Sequence, residues 1–130
     1  MRRILVVDDS ATMRKMGMAS LRDVKDVTFN EAGNGLEAIE QLEVAPFDLM
    51  ILDLNMPDMH GLEVLQFVLN HPQYSKTPIV ILTTKGDEES RSEALAAGAA
   101  CYLTKPFHPK SLAGEIVNLI SEPSTSRASQ

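Results

Sequence analysis

Ile4-Leu5-Val6-Val7-Asp8-Asp9-Ser10 begins with four apolar residues and ends on two carboxylates and a hydroxyl, and the form returns three times. Leu49-Met50-Ile51-Leu52 runs into Asp53, Ile79-Val80-Ile81-Leu82 into Thr83-Thr84, and Cys101-Tyr102-Leu103-Thr104 into Lys105-Pro106. Short continuous apolar runs read as strands buried on both faces, the habit of parallel sheets. All strands of a parallel sheet end along one edge, and open α/β sheets place their ligands there. The pattern predicts one site holding three carboxylates, a hydroxyl and an ammonium.

A fifth run begins near Val27, and the segments between runs carry helical spacing. Met13, Met16, Gly17 and Leu21 form one stripe, and Leu36, Ile39 and Leu42 a shorter one. Leu62, Leu65, Val68 and Leu69 form another, as do Leu112, Ile116, Leu119 and Ile120. Ser10 suits the N-cap of the first helix and Asp87 that of the fourth, while Gly98 suits the fourth helix's C-terminal stop. The repeats predict an α/β fold, (βα)5, with a doubly wound five-stranded parallel sheet covered by helices on both faces. Residues 27–31 mix polar with apolar and predict an edge strand. Residues 1–121 are expected to form one domain, and the Ser/Thr-rich residues 122–130 a disordered tail or linker stub.

The chain has 130 residues and a formal net charge of −6, which argues against direct nucleic-acid binding and points to protein partners. Its single cysteine, Cys101, excludes an internal disulfide, suits a reducing compartment and reads as a small core residue. Arg2 and Arg3 precede only four apolar residues, too few for a signal-peptide core. No apolar run approaches the ~20 residues that span a bilayer, so a cytoplasmic chain without membrane insertion is expected. His60, His71 and His108 lack metal-ligand spacing and read as surface residues. Neither a Walker-type phosphate loop nor a dinucleotide fingerprint is present.

Magnesium takes oxygen ligands, often one or two carboxylates with a phosphate and retained waters. Asp8, Asp9 and Asp53 match that demand, and their mutual repulsion is relieved by a divalent cation and the Lys105 ammonium. Asp53 is the candidate nucleophile, since a carboxylate can attack a phosphoryl group to give an aspartyl phosphate. Lys105 and the hydroxyl of Thr83 are suited to its equatorial oxygens. Asn55 can offer its backbone carbonyl to the metal. Met56-Pro57 breaks the strand exit, and Gly61 is expected to permit the turn into the third helix.

Four motifs in this order, VVDDS at 6–10, DLNMPDMHG at 53–61, ILTT at 81–84 and LTKPF at 103–107, resemble those of the response-regulator receiver domain. The likeness covers residues 3–121, and DDSATMR is most similar to the single-domain chemotaxis members. It implies the flavodoxin-like strand order 2-1-3-4-5 and phosphorylation of Asp53 by a sensor histidine kinase or phosphotransfer protein. It further implies magnesium held by Asp9, Asp53 and the Asn55 carbonyl, with Asp8 acting through water, and a cis Lys105–Pro106 bond. Thr83 and Tyr102 match the family's switch pair, which reshapes the face made by the fourth helix, fifth strand and fifth helix. The implied output is a protein target, such as a flagellar motor switch or a phosphatase, bound by a monomer or a phosphorylation-dependent dimer. His60 stands where an acidic or small residue is usual, and Thr84 is bulkier than its usual counterparts. Lys85 and Asn55 flank the route of an attacking water.

Two other readings stay open. A haloacid-dehalogenase-type, magnesium-dependent phosphohydrolase also uses an aspartyl nucleophile, but it wants an aspartate and a threonine where Asn55 and Pro57 stand. An unphosphorylated scaffold receiver is the other. The leading expectation is a signalling protein that catalyses only its own phosphorylation and dephosphorylation.

Overall fold

The structure, a computed structural model, describes residues 2–56, 61–74, 76–84 and 88–121. Asp87, His60, Pro57 and residues 122–130, for which a helix cap, loop roles and a tail are expected, lie outside them. The elements run β1 (Arg2–Val7), α1 (Ala11–Ser20), β2 (Val27–Ala32), α2 (Gly35–Val44), β3 (Leu49–Leu52), α3 (Gly61–Asn70), β4 (Ile79–Thr83), α4 (Glu88–Ala97), β5 (Cys101–Thr104) and α5 (Pro109–Ser121). All strand pairs are parallel, in the order β2-β1-β3-β4-β5. This is the doubly wound sheet expected, with β2 at one edge.

Alternation along each strand divides the core in two. Leu5, Val7, Met50, Leu52, Ile79 and Ile81 face Ala38 and Leu42 of α2, Val64, Leu65 and Val68 of α3, and Ala94 of α4. Ile4, Val6, Leu49, Ile51, Val80 and Leu82 face the other way, under Leu21 after α1 and Leu112, Ile116 and Ile120 of α5. Each such Leu or Ile contributes about 1.5–3 kcal/mol by leaving water. Apolar runs with no polar alternation thus specify a sheet with helices on both sides.

Two helix stripes differ from expectation. Met16 is 50% exposed and Leu36 59% exposed, while Gly17, Gly35 and Ala38 are buried. At about 100° per residue, Met16 and Leu36 sit one step off the buried arc. Small residues thus take the inner positions beside them, Gly17 among them as its stripe predicts.

Ser10 caps α1, its hydroxyl accepting from the Met13 amide. Asn34 caps α2 by accepting from the Glu37 amide, and Glu37 Oε1 in turn accepts from the Gly33 amide. That reciprocal arrangement is a variant of the capping box. Gly98 ends α4 with φ +119°, and the amides of Gly98 and Ala99 both reach the Ala94 carbonyl. Left-handed backbone there is why the stop is a glycine.

Candidate functional site

Backbone bonds at the strand ends aim the chemistry. The Asp8 amide donates to the Ala32 carbonyl at 3.1 Å, and the Asp53 amide to the Val7 carbonyl at 3.0 Å. The Lys105 amide donates to the Thr83 carbonyl at 2.8 Å. Each residue therefore leaves the sheet from a fixed rung, and its side chain emerges at the carboxyl edge.

There the carboxylates of Asp8, Asp9 and Asp53 converge, with one oxygen from each within 4.8 Å of the others. Asp8 and Asp53 are buried, whereas Asp9 is exposed. Lys105 Nζ lies 2.6 Å from Asp8 Oδ2 and 3.5 Å from Asp53 Oδ2. Asp8 Oδ1 also accepts from the Ser10 amide at 2.9 Å, and Asp53 Oδ1 from the Asn55 amide at 3.2 Å. Among the described residues, the Asp9 carboxylate has no hydrogen bond or ion pair. Three carboxylates against one ammonium leave two negative charges, the complement of one divalent cation. Hard oxygen donors, two of them buried, fit magnesium or a similar ion.

Thr83 is fully buried at the end of β4, opposite Thr104 of β5. Tyr102 pairs with Ile81 across β4 and β5 and is buried, its ring centroid 6.0 Å from the Arg91 guanidinium carbon. Asn55 is exposed beside the mouth, and its Nδ2 donates to Thr84 Oγ1 at 3.2 Å. The Lys105–Pro106 bond is cis. Lys85 lies outside the described residues.

Gly61 is required for space more than for conformation. A Cβ there would overlap the Asp53 carbonyl oxygen and the Leu54 Cα, and the Gly61 amide donates to the Leu54 carbonyl at 3.0 Å. The start of α3 is thus pressed against the residue that carries the central carboxylate.

Sequence reasoning does not single out Arg14. Its Nη1 donates to the Asp8 carbonyl at 2.6 Å, and its Nε to Glu31 Oε1 at 2.8 Å. Glu31 lies seventeen residues away on the neighbouring strand, and no linear pattern signals that contact. Cys101 is half-buried, and burial, with Glu115 beside it, pushes its thiol from an ordinary 9.0 to about 11. Cys101 thus packs at the margin of the core rather than inside it as expected, with its thiol held protonated.

Among the described residues, no helix is long and apolar enough to cross a membrane. The profile of the response regulator receiver domain matches residues 4–117. Chemotaxis protein CheY1 of Helicobacter pylori is 38% identical over 111 residues, covering 85% of this chain and 90% of that protein. The crystallised chemotaxis protein CheY4 of Vibrio cholerae superposes with a TM-score of 0.83 at 38% identity, over 92% of this chain and 98% of its own. The Mn(2+)-bound form of response regulator Rcp1 gives 0.84 at 26% identity, over 95% and 98%. The acidic cluster at the strand ends thus has its setting: this chain belongs to the receiver-domain family of two-component response regulators, and its fold is that of CheY.

Proposed function

We propose that the protein is a phosphorylation-controlled switch whose phosphoacceptor is Asp53. The observation that carries this reading is the setting of the Asp53 carboxylate. It is buried at the end of the central strand, 3.5 Å from the Lys105 ammonium and beside two further carboxylates.

In the transfer, an Asp53 oxygen bonds phosphorus as the P–N bond of a phosphohistidine breaks, and the bonding pair leaves with the imidazole. With acetyl phosphate the P–O bond breaks and acetate departs. Lys105 is positioned to stabilise charge on the equatorial oxygens, and the Thr83 hydroxyl to donate to one of them. Asp9, Asp53 and the Asn55 carbonyl would hold magnesium, with Asp8 acting through water. When bound, the ion supplies positive charge that offsets repulsion between the carboxylates and the incoming phosphoryl group. The relative Rcp1, crystallised with Mn(2+), supports a divalent site in this fold.

The phosphoryl group adds about −1.5 to −2 charge at the mouth of the site. Thr83 and Tyr102, on adjacent strands, would convert that charge into a repacked α4-β5-α5 face. Moving such a pair from 1:99 to 99:1 takes about 5.5 kcal/mol of differential stabilisation. The chemotaxis relatives favour a histidine kinase or phosphotransfer protein as donor, and as target a protein such as a flagellar motor switch.

The test is intact mass after incubation with acetyl phosphate and Mg2+. One phosphoryl adduct is expected, absent in Asp53→Asn and without Mg2+. Failure of the folded wild-type chain to gain it overturns the switch reading in favour of a scaffold receiver.

A further inference from the structure

We infer that Arg14 is a positioning residue for the divalent cation, acting through the Asp8–Asp9 peptide; the inference rests on the metal site proposed above. Asp9 is the exposed member of the carboxylate cluster, and among the described residues nothing bonds its side chain. Its orientation is therefore set by its backbone. The ladder between β1 and β2 ends at the bond from the Asp8 amide to the Ala32 carbonyl. Beyond that rung the chain turns into α1, and the next polar group is the Asp8 carbonyl. That oxygen belongs to the peptide plane that carries the Asp9 amide.

Arg14 fixes this plane. Its Nη1 reaches the Asp8 carbonyl at 2.6 Å while its Nε is held by Glu31 on β2 at 2.8 Å. The Arg14 side chain is 17% exposed, and its bond to the Asp8 carbonyl is part-buried while the bond to Glu31 faces solvent. One rigid fork thus ties the loop bearing two carboxylates to the neighbouring strand. A lysine has no second planar donor and cannot make both bonds in this geometry. Ser10 supports the same loop from the other side, its amide donating to Asp8 Oδ1 and its hydroxyl capping α1.

Electrostatics alone gives the opposite expectation. Replacing Arg14 with alanine removes a positive charge near the site and leaves the Glu31 carboxylate unpaired. Both changes favour a cation, so a pure charge effect tightens Mg2+ binding. Loss of positioning weakens it, and removal of groups that orient metal ligands commonly costs 10–100-fold in affinity. The sign of the change separates the two.

The experiment is a Mg2+ titration of the 15N-labelled 130-residue chain, followed by amide shifts that report fold and affinity together. Wild type, Arg14→Ala, Arg14→Lys and Glu31→Gln are compared. Arg14→Ala is expected to bind Mg2+ about tenfold more weakly or worse. Arg14→Lys should fall between, and Glu31→Gln, which keeps an acceptor oxygen, should stay close to wild type. Should Arg14→Ala fail to fold, weakened binding by folded Arg14→Lys carries the proposal and wild-type affinity overturns it. Equal or tighter binding by a folded Arg14→Ala overturns it as well. A wild-type chain that binds no Mg2+ overturns the metal site itself, a failure distinct from that of Arg14.

Discussion

Lys105 sits 2.6 Å from Asp8 and 3.5 Å from Asp53, so the ammonium is seated on the first-strand carboxylate and leans toward the proposed phosphoacceptor. Both Lys105 and Asp8 side chains are 8% exposed, and breaking a buried pair typically costs about 3–5 kcal/mol. Lys105→Met is expected to lose about 3 kcal/mol in urea unfolding with EDTA. Saturating Mg2+ should return part of that loss, because the cation replaces the missing charge.

Asp9 gives the opposite sign. It is exposed, within 4.8 Å of two other carboxylates, and without a partner among the described residues. Removing its charge relieves repulsion of roughly 1 kcal/mol at this separation in a watery setting. Asp9→Asn should therefore stabilise the metal-free protein by about that much. It should also lose the stabilisation that Mg2+ gives wild type, about 2.7 kcal/mol at a hundredfold excess over Kd. Thermal unfolding with and without Mg2+ checks both halves.

The bond between Asn55 and Thr84 crosses the mouth of the site. Thr84→Ala removes it together with a methyl group. Phosphorylation by acetyl phosphate should quicken several-fold, read as adduct mass against time. Because the bond is exposed, stability should fall by no more than about 1 kcal/mol.

Two glycines make a contrasting pair. A Cβ at Gly61 would meet backbone of Asp53 and Leu54, whereas one at Gly17 would meet nothing within 4 Å. Gly61→Ala is expected to cost roughly 1–3 kcal/mol through overpacking. Gly17→Ala should gain up to about 1 kcal/mol from helix propensity. Chemical denaturation measures both, and only the Gly61 variant should slow phosphorylation.

Cys101 sets an alkaline dependence. Its folded pKa is about 11 against an ordinary 9.0, chiefly through burial and then through Glu115. The folded state disfavours the thiolate, so this contribution is whole below pH 9 and lost as pH rises toward 11. Cys101→Ala should flatten the alkaline limb of the stability profile. The wild-type thiol should react slowly with iodoacetamide in mildly alkaline buffer.

The sheet and its edge are legible in the sequence because a doubly covered parallel strand must be an apolar run, and the residue after it must leave at the carboxyl edge. That logic brings Asp8, Asp53, Thr83 and Lys105 to one place. Helix faces are harder to read. Size draws the eye to Met16 and Leu36, yet the buried positions beside them are Gly17, Gly35 and Ala38. Lateral contacts leave no linear trace, so Arg14 with Glu31, and the seating of Lys105 on Asp8, emerge only in three dimensions. Gly61 is legible as a special position, but crowding against Asp53 is its reason.

The two partners of that buried ion pair stand ninety-seven residues apart, Asp8 after the first strand and Lys105 after the last. During synthesis the acidic half of the site leaves the ribosome long before the ammonium. A chain stalled before β5 has carboxylates but no Lys105 to draw in a phosphoryl group. Under the proposed function, competence to receive a signal arrives only with a finished sheet, and truncated copies should be silent rather than misleading.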